Sequence, residues 1–169
     1  MRYFTDELWE EINCGVKERR EIAEKKWDKN AEEYRAVFNN IRYRFSKKFL
    51  KIYEKEANFH DYKLKEIKIN HDKYGFKDPV KISLIINNEI NTWQMDYTKI
   101  KKISLNYNKI GDILSRNKEF YVGFDDLSYD EFLEVDDKTL SHEILFASGA
   151  TLLIKFEKLF IKKLSINKD

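Results

Sequence analysis

The spacing of apolar residues changes near residue 58, and this change limits what the chain can fold into more than any other feature. Before it, Val16, Ala23, Trp27, Ala31, Tyr34, Phe38, Ile41, Phe45, Phe49 and Ile52 recur at helical intervals, with Lys, Arg and Glu between them. Such a stripe is the buried face of an amphipathic helix. After it, Val80, Ile82, Leu84 and Ile86 alternate with Lys81, Ser83 and Asn87, the period-two pattern of a half-buried strand.

The helical part begins with Thr5, an N-cap type, followed by Asp6 and Glu7 against the positive end of a first short helix. Asn13-Cys14-Gly15 is its natural stop. From Val16 to Ala57 there is neither Gly nor Pro. A single helix over that span would reach roughly 60 Å at ~1.5 Å per residue. A break is expected near Asn39-Asn40. The alternative is one unbroken helix over 16–57, projecting from the domain or pairing with a second copy as a homodimer.

The strand part opens at Leu64 to Ile69 and continues through 80–87, 92–98, 100–107, 120–124, 131–135, 140–147, 151–156 and 159–166. A short helical or irregular piece is expected around Ile110 to Leu114. Asn87 to Asn91 and Ser148-Gly149 carry turn chemistry. Short turns imply antiparallel neighbours, because parallel strands need long crossovers. The fold class is therefore α+β: helices over 1–57, packed on or projecting from an antiparallel β region over 58–169. Each part has an apolar face that needs a partner, so the two are expected to form one cooperative domain.

Composition narrows the class further. Hydrophobic residues at 42% and aromatics at 15% offset the ordering entropy that keeps polar chains unfolded. The lone Cys14 allows no internal disulfide, so no oxidising compartment is implied. No apolar run approaches the ~20 residues of a membrane helix, and the acidic opening has no apolar signal segment. The expectation is a cytoplasmic protein without a membrane partner. Thirty-two Lys and Arg against thirty Asp and Glu give a net charge of +2, too little to call for a polyanion.

No phosphate-binding glycine loop, nucleophile elbow, zinc helix or paired cysteine occurs in the sequence. No cofactor or metal is therefore expected. Three constellations are left. Each His is followed by a carboxylate, and His60, Asp61, His142 and Glu143 form an acid–base or metal site if neighbouring strands bring them together. Otherwise they are satisfied structural residues, because successive strand residues point to opposite faces. The segment 119–143 collects Asp125, Asp126, Asp130, Glu131, Glu134, Asp136 and Asp137. It can engage a basic protein partner or simply form solvated loop and edge-strand surface. Conversely, Arg42, Arg44, Lys47 and Lys48 lie in a stretch with no acid, able to track phosphates if its aromatics are not core.

Particular residues also carry a likeness. Met1-Arg2-Tyr3-Phe4-Thr5-Asp6-Glu7-Leu8-Trp9, Phe59-His60-Asp61-Tyr62-Lys63-Leu64, and Leu140-Ser141-His142-Glu143-Ile144-Leu145-Phe146-Ala147-Ser148-Gly149 resemble blocks of a bacterial family. That family occurs mostly in low-GC Gram-positive species and is defined as a domain of unknown function. The resemblance covers essentially the whole chain, although family members often have a longer helical region. It implies a bacterial cytosolic origin and a helices-then-sheet layout, and assigns no activity, cofactor or catalytic residue. The segment from Leu145 to Leu159 also resembles the final hairpin of small bacterial immunity-type β proteins. Together these readings favour a non-enzymatic, immunity-like protein that binds another protein. The enzyme and nucleic-acid readings are the alternatives.

Overall fold

Thr5 begins the first helix by accepting a hydrogen bond from the Leu8 N–H at 3.3 Å, which satisfies one of the free donors at a helix start. The computed structural model describes residues 1–73, 77–107 and 123–165. Helix α1 (Asp6–Asn13) ends before Gly15, whose φ of +76° lets the chain turn back. Helix α2 (Lys17–Ile41) then runs through Asn39 and Asn40 without interruption. The break lies further on, at a 3-10 turn (Arg42–Arg44) followed by extended Phe45. There the Ser46 hydroxyl accepts from the Phe49 N–H at 3.1 Å and starts α3 (Lys47–Lys55). Buried Phe38 and Ile41 keep the two asparagines helical, since packing outweighs a propensity cost of a few tenths of a kcal/mol. The unbroken 16–57 helix is thus not formed, and the homodimer reading loses its premise.

Among the described residues all strand pairings are antiparallel. One sheet has the order β1 (Lys63–His71), β2 (Val80–Asn87), β3 (Thr92–Thr98), β8 (Lys158–Leu164). The other has the order β4 (Lys102–Asn106), β7 (Thr151–Phe156), β6 (Leu140–Phe146), β5 (Leu127–Glu134). Strand β5 starts four residues before the expected 131, because a register shift between Leu127 and Tyr129 hides the alternation there. The piece expected at 110–114 and most of the strand expected at 120–124 lie outside the described residues.

A bent ribbon joins the sheets. Strand β3 continues into β4, and β7 continues into β8 through Glu157 alone. At this corner the Glu157 carboxylate meets Lys99 Nζ and Lys101 Nζ, each at 2.9 Å. The two ammonium groups hold its carboxyl down at about 2. On the far side the circuit closes where Lys63 bridges Asp126 and Leu127 exchanges backbone bonds with Asp61 and Tyr62, at 2.9 and 2.8 Å.

The helices cover the interior of this circuit. Phe38, Ile41, Phe45, Phe49 and Tyr53 share one buried cluster with Phe132, Phe156, Tyr97 and the inner residues of both sheets. Among the described residues no helix is long and apolar enough to cross a membrane.

Candidate functional site

Strand parity separates the functional side chains of β5. Asp130 and Phe132 point inward, while Glu131 points to the other face. Among the described residues β5 is the edge strand of its sheet, and α2 packs against it. The Phe132 N–H, which would otherwise lack a strand partner, donates to the Tyr34 hydroxyl oxygen of α2 at 2.7 Å.

Asp130 is the centre of a buried hydrogen-bond chain. Its Oδ1 accepts from the Tyr53 hydroxyl at 2.7 Å, and its Oδ2 lies 2.8 Å from His142 Nε2. His142 Nδ1 is in turn 2.7 Å from the Tyr97 hydroxyl. His142 is 2% exposed and stacks on the Phe132 ring at 3.9 Å, its cross-strand partner. Burial, and after it the Asp130 charge, pushes the hydroxyls of Tyr34, Tyr53 and Tyr97 well above the ordinary tyrosine range. All three are therefore fixed as neutral groups.

A groove of about 360 Å³ opens above this chain, between α2, α3, the turn after α3 and β5. Of the chain, Asp130 and Tyr53 line it, together with Tyr34; His142 and Tyr97 are sealed behind. Aromatic rings form one end: Trp27 and Tyr129 meet at 4.4 Å, and Phe4 lies 5.4 Å from Tyr129. Arg42 and Glu54, an ion pair, stand at the other end. The remaining wall is the 3-10 turn Ala57–Phe59 and the residues after it. Ala57, Asn58, Phe59 and Asp61 all have φ between +48° and +64°. Such angles are costly for residues with a Cβ and persist only where surroundings enforce them. Here Phe59, buried in the core, and the Asp61 N–H bond to Leu127 O do so.

The residues singled out in the sequence are distributed differently from the proposed His/Asp/Glu site. His142 takes Asp130, not Asp61, as its carboxylate. His60 pairs with Asp61 at 3.0 Å on the surface, where the Asp61 side chain is 80% exposed, and sets its ring edge against Tyr129 at the groove wall. Glu143 faces the opposite side of the sheet and meets the Met1 amine at 2.9 Å. The two histidines thus belong to separate carboxylate pairs. Among the described residues no group of three or more His, Cys, Asp or Glu is placed to hold a metal.

The acidic segment is not uniformly solvated surface. Glu131 is buried and accepts the backbone N–H groups of Arg2, Tyr3 and Phe4 at 2.8, 2.6 and 2.7 Å. Asp136 organises its turn by accepting from the Lys138 and Thr139 N–H groups. Asp125 accepts from the Ser148 N–H at 3.2 Å, and burial raises its carboxyl. Asp126 takes part in the bridge to Lys63 through its backbone. Of the basic residues, Arg42 pairs with Glu54 and lies over Phe38, and Arg44 donates to the Asp136 carbonyl at 2.9 Å. Lys47 and Lys48 are exposed in the first turn of α3. The aromatics interleaved with them divide: Phe45 and Phe49 are core, whereas Tyr43 is exposed.

The Asp130–His142–Tyr97 chain escaped the sequence reading, although one signal for it was present. If 127–134 and 140–146 pair across a short turn with Phe132 opposite His142, Asp130 falls on His142's face, one diagonal step away. No family model and no curated protein matches the chain.

Proposed function

We propose that this is a cytoplasmic, non-catalytic binding protein that engages a protein partner in the groove along α2. The observation that carries this reading is the fixed Asp130 carboxylate, set at the floor of an aromatic groove by donors on α3 and β6. A concave, largely apolar site with a few convergent polar groups is the usual form of a binding site. Its shape favours a chain segment over a compact metabolite. The groove follows α2 from Trp27 to Asn39, roughly 18 Å at ~1.5 Å per residue, and ends at Arg42 in the turn beyond. The turn with left-handed Ala57, Asn58 and Phe59 supports the same reading, since strain of this kind collects at ligand clamps. The sealed positions of Tyr97 and His142 leave a carboxylate and two neutral phenols at the surface of the groove, which suits recognition.

Ala31 lines the groove on α2, and tryptophan there fills it. Affinity capture from the host lysate with the wild type and with Ala31→Trp is the test, with circular dichroism confirming that the variant folds. A partner held stoichiometrically by the wild type and lost with Ala31→Trp is expected. Retention by both proteins, or turnover of a metabolite with no partner, refutes the reading.

A further inference from the structure

Resting on the reading of the groove as a partner-binding surface, we propose that its centre takes a basic side chain, a lysine ammonium or arginine guanidinium, against Asp130. The argument begins with the Tyr97 hydroxyl. It has two acceptors in reach, His142 Nδ1 at 2.7 Å and the weak thioether of Met95 at 3.6 Å. With a neutral imidazole its proton goes to Nδ1, the nearer and stronger acceptor. Nδ1 is then an acceptor, and the imidazole proton sits on Nε2, pointing at Asp130 Oδ2. The other donor to Asp130 is the neutral Tyr53 hydroxyl.

Asp130 is therefore met by two neutral donors, and among the described residues no Lys or Arg pairs with it. An anion withdrawn from water without a counter-charge is costly, and a bound cation relieves that cost. Room for one exists on the carboxylate, because two hydrogen bonds leave lone-pair sites on both oxygens. The groove's own cations do not fill it: Arg42 is held by Glu54, and Arg35 is exposed. Tyr34, Trp27 and Tyr129 line the same groove, and aromatic rings attract an ammonium or guanidinium group. Anionic and neutral side chains gain neither interaction.

Four capped single residues serve as probes: the N-acetyl methylamides of lysine, arginine, norleucine and glutamate. Binding is read from the amide NMR shifts of Tyr129 and Asp130 and from the Trp27 indole signal. The cationic probes are expected to saturate, and norleucine and glutamate to bind at least about tenfold more weakly. Asp130→Asn should weaken the cationic probes by about tenfold and leave norleucine unchanged. Tyr53→Phe keeps the charge and frees a lone pair, so it should bind the cationic probes at least as tightly as the wild type. Equal binding of norleucine, cationic binding that survives Asp130→Asn, or no binding by any probe overturns the inference. In each of those cases partner capture lost with Ala31→Trp still upholds the groove reading, so the two fail separately.

Discussion

Glu131, 1% exposed, keeps its place because three backbone N–H groups from the start of the chain converge on it. It stands directly across the sheet from Glu143. Two like charges so placed repel, and the N-terminal segment lying over both is what offsets that repulsion. Glu131→Ala leaves three donors without their acceptor and should lower stability by about 3 kcal/mol or more. Glu131→Gln keeps an oxygen where Oε1 accepts from Tyr3 and Phe4, and should cost only about 1 kcal/mol. Urea unfolding of the two variants measures the difference. Asp130, the adjacent residue, has the same chemistry and the opposite task, because strand parity turns it inward onto Tyr53 and His142. Counting charge along 119–143 merges the two residues, since a tally carries no period. Only pairing with β6 distinguishes them.

At the scale of elements, periodicity revealed the helix-to-sheet order and nearly all the described strands, because each buries one face and repeats accordingly. It failed where local chemistry decides. The α2–α3 break follows a single serine hydroxyl, not the Asn pair that composition favours. The turn at 57–61 uses Ala, Asn, Phe and Asp at positive φ, and Ala and Phe carry no left-handed preference that a sequence can display. Caps also give an opposed pair of predictions. Ser46→Ala should destabilise by about 1 kcal/mol through loss of the bond to the Phe49 N–H. Val16, extended and half out of the fold at the start of α2, makes no cap bond, so Val16→Asp should stabilise by about 1 kcal/mol. Thermal melts of both single variants check the two signs.

For the whole molecule, the corner at Glu157 is where the two sheets hold each other. Its carboxyl titrates at about 2 in the fold, against an ordinary value of 4.5. A group lowered in this way contributes stability above the unfolded value, and that contribution fades as pH falls from about 4.5 toward 2. Glu157→Gln should therefore melt below the wild type at pH 6, with the gap closing as the solution is acidified toward pH 2. Melting temperatures across that range supply the measurement. A gap that stays constant with pH would assign the loss to packing and not to the ion pairs with Lys99 and Lys101.

The bonds from Glu131 to the start of the chain span 127 to 129 residues, and the Tyr34 bond to Phe132 spans 98. Contacts between such distant residues form slowly, since a long loop must close before they gain anything. During synthesis, the N–H groups of residues 2–4 therefore lack their Glu131 acceptor until residue 131 has left the ribosome, while the Tyr3 carbonyl can already accept from Asn30. Phe4, which walls the groove, can meet Trp27 and Tyr34 of α2 before then, and gains Tyr129 only with β5. The aromatic end of the groove is therefore the last wall to form, when β5 brings Tyr129 against rings that α2 and the first residues already supply.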